Sequence, residues 1–241
     1  MPALMSRPVR VRLSGEWACF TRPEMKVERV TYPYITPSAA RGALEAIFWR
    51  PQFRWVVTSI EVLKPVRYQA LTRNEVQKKI PTGNVAAWMR EPGNRKPFYA
   101  DARGREDGEN ATQRGTLALR DVAYNITARV TVDGQNLTAE DTPEKYAAMF
   151  DRRVERGQCF ARPYLGCREF AADFRPVDAA EERVHDTTDL GLTLYDIVFG
   201  GEGKHGNRAV FFRARIEDGV IATDPEIAIP DEAERRQVLT C

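Results

Sequence analysis

Two Thr-Pro pairs, Thr36-Pro37 and Thr142-Pro143, constrain this chain more than any other feature. Each puts a hydroxyl where a helix needs an N-cap, and a proline at the first helical position, where its missing N–H costs nothing. Apolar residues follow at helical spacing: Ala40, Ala43, Leu44, Ile47 and Phe48 after the first pair, Tyr146, Met149, Phe150 and Val154 after the second. Pro51 ends the first helix, and the second is expected to run to about Arg156. Arg41 and Glu45 make an i,i+4 pair on the first helix's outer side. Between and around these helices the chain alternates with period two. In "RPVRVRL", Val9, Val11 and Leu13 oppose Arg10 and Arg12. "FRWVVTSIEVLKP" reads as a second strand ending before Pro65. "TLALRDVAYNITARVTV" reads as a third, with Val122, Tyr124, Ile126, Ala128, Val130 and Val132 on one face, and "DGQ" turning the chain after it. "CFARPYLGC" reads as a fourth. The order β-α-β-β-α-β predicts an α+β fold of the ferredoxin-like (RRM-like) type.

The expected ferredoxin-like domain occupies residues 1–169, and residues 170–241 form a small β-rich C-terminal region with a hairpin turn at Asp218-Gly219. Between the second and third strands lie about 50 residues, 66–115, far more than a hairpin needs. They hold Arg73, Lys78, Lys79, Arg90, Arg95, Lys96, Arg103, Arg105 and Arg114, with Trp88, Phe98 and Tyr99 interleaved. Cations neutralise phosphates and aromatic rings stack on bases, so the insertion fits a nucleic-acid contact as well as it fits a solvated loop. Charge is uneven in the same direction. The net charge of +2 divides into +9 over residues 1–169 and −7 over residues 170–241. A basic first part points to a polyanionic partner.

Several chemistries find no support. There is no GxxxxGK[ST] loop, and the Gly-rich "GGEGKHG" lacks the following hydroxyl and helix. The only histidines, His185 and His205, lie in the C-terminal region, too few for a histidine metal site. No Ser-His-Asp signature occurs, and the acids are dispersed. Cys19, Cys159, Cys167 and Cys241 show no C-x-x-C spacing, which fits reduced thiols in a cytoplasmic protein. No apolar run is long enough to span a bilayer, and the N-terminus does not read as a secretory signal. No metal or other cofactor is expected. An RNP-type aromatic run is missing, so base stacking on an ordinary RNA-recognition sheet is not expected. Metal-free RNA cleavage leaves only a faint mark, because the RNA's own 2′-hydroxyl is the nucleophile. The protein need only position the strand, move a proton and stabilise charge, work that one lysine and one tyrosine or histidine can do.

The blocks "GEWACFTRPEMKVERVTYPYITPSAARGALEAIFW", "RNEVQKKIP", "RDVAYNITA", "YLGCREF" and "DLGLTLYDI" occur in this order over nearly the whole chain. Together they resemble the CRISPR-associated Cas-five family in its subtype I-C (d-type) form. The resemblance implies a ferredoxin-like domain with an inserted β-hairpin thumb and a small C-terminal β-sheet region. It implies an endoribonuclease that cuts CRISPR precursor RNA within each repeat by 2′-hydroxyl attack, without metal. The enzyme then keeps the 5′ handle of the mature guide RNA and joins the other subunits of the type I-C surveillance complex. Double-stranded DNA is a further partner associated with family members. The family's catalytic tyrosine position falls on Phe48, its lysine on Lys145 and its histidine on Tyr146. Lys145 and Tyr146 are therefore the candidate catalytic residues, as phosphate stabiliser and proton-transfer group. Arg22, Lys26 and Arg29 match the family's first loop and are candidate RNA contacts, followed by Arg41, Arg114, Arg120 and Arg168. Because Phe48 and Tyr146 depart from the family pattern, a non-catalytic subunit that binds the guide-RNA handle stands as the alternative. A plain nucleic-acid binder acting through charge is a third.

Overall fold

The computed structural model describes residues 5–25, 27–76, 81–91, 93, 111–133, 137–199 and 207–240. Its elements are β1 (Val9–Ala18), β2 (Arg29–Val30), α1 (Pro37–Ile47), β3 (Phe53–Val62), β4 (Tyr68–Val76), α2 (Thr82–Arg90), β5 (Ala111–Val132) and α3 (Pro143–Glu155). β6 (Asp173–Arg175), β7 (Thr188–Val198), β8 (Arg208–Glu217), β9 (Val220–Ala222), α4 (Pro225–Ala228) and α5 (Glu232–Thr240) follow.

Both Thr-Pro signals start helices. The Thr36 hydroxyl accepts from the Ala39 N–H at 3.3 Å, and the Thr142 hydroxyl from the Lys145 N–H at 3.3 Å. The stripes bury as their spacing requires: Ala40, Ala43, Leu44 and Ile47 of α1, and Tyr146, Ala147, Phe150 and Val154 of α3. They pack on Val9, Val11 and Leu13 of β1 and on Val122, Tyr124, Ile126, Ala128 and Val130 of β5 in one continuous core.

The main sheet path is β6-β1-β5-β3-β9-β8-β7. Its first four strands are the fourth, first, third and second of the β-α-β-β-α-β unit, all paired antiparallel. This is the ferredoxin-like arrangement. The fourth strand is not where periodicity placed it. In "CFARPYLGC" only Tyr164 makes a β-bridge, to Ala171, and the pairing strand is β6, residues 173–175. The reason is where the backbone donors go. Phe160 N–H bonds Ala46 O at 3.0 Å, Ala161 N–H bonds the same oxygen at 3.0 Å, and Pro163 has no N–H to give. The segment caps the C-terminal carbonyls of α1 instead of lengthening the sheet.

The insertion is a β-hairpin arm. β4 pairs with residues 111–119 of β5, while residues 119–132 of the same strand pair with β1 and β3. The backbone turns left-handed at Asp121 (φ 55°), where arm and sheet meet. α2 lies within the insertion, and Lys78, Lys79, Arg95, Lys96, Phe98, Tyr99, Arg103 and Arg105 lie outside the described residues, as do residues 134–135 of "DGQ" and all of "GGEGKHG". In the C-terminal region, Asp218 and Gly219 both have positive φ (47° and 77°), the geometry of a tight hairpin turn between β8 and β9. β9 pairs with Ser59–Glu61 of β3, so the C-terminal strands continue the same sheet. Among the described residues, no helix is long and apolar enough to cross a membrane.

Candidate nucleic-acid interface

Two places gather the residues singled out from the sequence. The first is the junction between the end of α1 and the start of α3. α1 has no glycine cap, so other groups meet its last carbonyls. Trp55 Nε1 donates to Phe48 O at 2.9 Å, and Arg153 Nη1 donates to Ile47 O at 3.2 Å. The Arg153 guanidinium also stands over the Phe48 ring, 5.0 Å from its centre. Phe48 is fully buried and lies 5.3 Å from Phe53 and 6.3 Å from Tyr146, ring centre to ring centre. The fold therefore brings Phe48 and Tyr146 together from positions about a hundred residues apart. It does so by aromatic packing.

The Tyr146 ring is buried, and its hydroxyl donates to Asp141 Oδ1. Burial and this carboxylate push its pKa up to about 12, against a weaker opposing pull from Arg50. Asp141 is held down at about 2, first by the Tyr146 hydroxyl and then by the Thr138 N–H and hydroxyl. Lys145 is exposed in the first turn of α3, where the helix dipole disfavours a cation, with Glu140 3.6 Å from its ammonium. Lys145 is thus presented to solvent beside a protonated phenol.

The second place is the foot of the hairpin arm. There the segment 163–170 lies against the end of β1: Cys19 N–H donates to Leu165 O at 3.0 Å. Gly166 (φ 84°) permits this approach, since a Cβ there would stand 2.0 Å from Cys19 O. Arg29 reaches across to Cys167 Sγ (3.4 Å), Glu169 (3.2 Å) and Glu75 (3.6 Å). Arg73 of β4 binds the same two carboxylates. The Cys167 thiol is pushed down in pKa by a hydrogen bond with the Cys19 thiol and by the Arg29 charge, and Cys19 is pushed up. Arg114 faces Arg73 across the arm, and Arg168 adjoins Glu169 on the exposed side. Among the described residues neither Arg114 nor Arg168 has a carboxylate at ion-pair distance. Arg22 stacks over Tyr32 at 4.6 Å, with Glu24 3.9 Å away, and Arg120 is exposed with its guanidinium 5.7 Å from the Trp17 ring centre.

Two of the sequence candidates stand apart. Arg41 lies at neither place: it bonds Asp196 at 2.8 Å and Glu45 at 3.1 Å, tying α1 to β7. Lys26 lies outside the described residues. Sequence reasoning missed Asp141, Arg153 and the Glu75–Glu169 pair. Asp141 precedes the Thr-Pro signal by one residue, the only local hint, and the others are set by long-range packing.

A ferredoxin-like sheet bearing a hairpin arm defines an RRM-like α+β protein. The family model described as CRISPR-associated protein (Cas_Cas5), in its Cas5d form, matches residues 9–224, and the chain belongs to that family. It is 40% identical over 228 residues to a protein of Mannheimia succiniciproducens named CRISPR pre-crRNA endoribonuclease Cas5d, covering 92% of this chain and 96% of the relative. A relative from Thermus thermophilus with the same name is 40% identical over 233 residues, covering 90% and 92%. Among solved structures, a crystal structure of a CRISPR-associated protein superposes with a TM-score of 0.65 at 20% identity, covering 92% of this chain and 94% of that one. A functionally uncharacterized protein from Streptococcus mutans superposes at 0.62 with 18% identity, covering 91% and 93%. At those identities the superpositions bear on the fold alone.

Proposed function

We propose that this chain cleaves CRISPR precursor RNA within its repeats and then retains the 5′ handle of the guide RNA as a subunit of the type I-C surveillance complex in the cytoplasm. Family membership and the two relatives named pre-crRNA endoribonucleases support this reading. The single structural observation that supports it best is the approach of Tyr146 to Phe48 where α1 ends and α3 begins, with Lys145 exposed beside Tyr146 in the first turn of α3. In the reaction, the 2′-oxygen bonds to the adjacent phosphorus and the bond from phosphorus to the 5′-oxygen breaks. The 2′-hydroxyl proton goes to solvent, and the departing 5′-oxygen takes up a proton. The products are a 2′,3′-cyclic phosphate and a 5′-hydroxyl. Lys145 offsets the charge that builds on the non-bridging oxygens. Tyr146 keeps its proton far above neutrality, so its role in the proposal is to donate that proton to the leaving oxygen, its hydroxyl turning from Asp141 to do so, and not to remove one from the nucleophile.

Incubating the protein with its cognate repeat RNA in EDTA tests the reading. Cleavage to a cyclic-phosphate product is expected. Lys145→Ala should slow it about 10²–10³-fold while affinity stays near wild type. Retained binding with no cleavage by the wild type would reject the enzyme. It would favour the second reading, a handle-binding subunit, for which one observation speaks: the hydroxyl the family places at Phe48 is missing, and a buried phenyl fills the site. Double-stranded DNA is a further partner under the proposal, tested by competition of unlabelled duplex against labelled repeat RNA.

A further inference from the structure

Phe160 is the most exposed large apolar side chain among the described residues, at 87%. Single exposed apolar residues are ordinary on protein surfaces. What sets Phe160 apart is how firmly its backbone is held. Past the end of α3 Gly157 takes a positive φ (62°), and Gln158 N–H returns to Arg153 O at 2.9 Å. Two residues on, Phe160 N–H bonds both Ala46 O (3.0 Å) and Ile47 O (3.3 Å), and Ala161 N–H also bonds Ala46 O. The segment is thus pinned to the C-terminal ends of both helices, and its ring is left in water.

Arginines lie close by at the ends of the two helices. The Ile47 carbonyl that takes the Phe160 N–H also takes Arg153 Nη1. Arg50, two residues beyond Phe48, is exposed, and Arg156 is exposed one residue before Gly157. Among the described residues neither has a carboxylate at ion-pair distance. A rigid exposed aromatic face on a segment held by the ends of two helices, with exposed arginines close by in the chain, suits a nucleobase of a polyanion better than an apolar protein segment. The carbonyl of Ile47 that takes the Phe160 N–H belongs to the residue before Phe48, the family's tyrosine position.

We propose that the Phe160 ring is a stacking platform for an unpaired nucleobase of the repeat RNA beside the scissile phosphate, which rests on the cleavage reading above. The platform fixes the strand by its π-face and leaves sequence readout to other groups. Its preset backbone means that little ordering is required on binding.

The test uses the full chain and repeat RNA carrying 2-aminopurine at each unpaired position in turn. Phe160→Ala, Phe160→Leu and Phe160→Trp are compared with wild type. Loss of one stacked base should weaken RNA affinity about 5- to 150-fold in the alanine variant, with the same melting temperature because the ring is exposed. Trp should retain affinity. Leu should behave like Ala, and one 2-aminopurine position should lose its quenching only in Ala and Leu. Wild-type affinity in Phe160→Ala, or full retention by Leu, overturns the proposal. If the wild type binds repeat RNA without cutting it, the cleavage reading falls, while the contrast between Ala and Trp in affinity still decides the platform.

Discussion

Tyr146 faces a carboxylate, and that contact decides how the tyrosine can act. A tyrosine serving as a general base needs a neighbouring cation to lower its pKa. Here burial and Asp141 raise it to about 12, so the phenol keeps its proton across the working pH range. Tyr146→Phe is expected to slow cleavage about 10²–10⁴-fold, and the wild-type rate profile should show no tyrosine ionisation near neutral pH. A rate limb with a midpoint near 7 that disappears in Tyr146→Phe would contradict the donor role. The same contact has a signature in stability. Asp141 is depressed to about 2 in the fold, against about 3.9 in an unfolded chain. Its contribution is therefore complete above pH ~4 and is lost as pH falls through ~2. Wild type and Asp141→Asn should differ in thermal unfolding at pH 5 and converge as pH approaches 2. A gap that stays constant over that range would show that the carboxylate charge is not what matters.

At the scale of elements, the ion pair between Arg41 and Asp196 joins α1 to β7, with Asp196 only 12% exposed at its side chain. Removing one partner strands the other. Arg41→Ala should destabilise the protein by about 2–3 kcal/mol, below the ~3–5 kcal/mol of a wholly buried pair because Arg41 keeps some solvent. Chemical denaturation reads the loss. Repeat-RNA affinity, measured where the variant is folded, should not change, and a large drop there would restore Arg41 as an RNA contact. From sequence, Arg41 showed only its i,i+4 partner Glu45, because Asp196 lies 155 residues away. The pattern is general in this chain. Both helices were legible because cap, proline and stripe are local and agree with one another. The fourth strand was misplaced because nothing local shows that the donors of residues 160–161 serve the end of α1. The stripes marked Phe48 and Tyr146 each as core-facing, but nothing local showed that the two rings would meet, since they lie about a hundred residues apart.

Over the whole molecule, the charge asymmetry read from the sequence separates into spent and available cations. In the basic part, Arg29 and Arg73 are bound to Glu75 and Glu169, and Arg41 to Asp196. Arg114 and Arg168 stand at the arm's foot with no carboxylate at ion-pair distance among the described residues. The C-terminal strands β7, β8 and β9 pair through β9 with β3, at the opposite side of the sheet from β1 and β6, and their arginines (Arg208, Arg213, Arg215) balance their acids (Asp189, Asp196, Glu217), so the negative charge of this region lies outside them. Counterion release gives this distinction a measurable form. For single-stranded nucleic acid, each neutralised phosphate adds about −0.7 to the slope of log affinity against log salt. Arg114→Ala and Arg168→Ala should each make that slope shallower by about 0.7 for repeat RNA. Arg41→Ala should leave it unchanged, because its charge is already offset within the fold. Arg29→Ala should also leave it nearly unchanged while disturbing the contact of segment 163–170 with β1. Equal changes in all four variants would mean that net charge alone sets the slope, and that the ion pairs at the arm's foot do not sort its arginines into structural and RNA-facing groups.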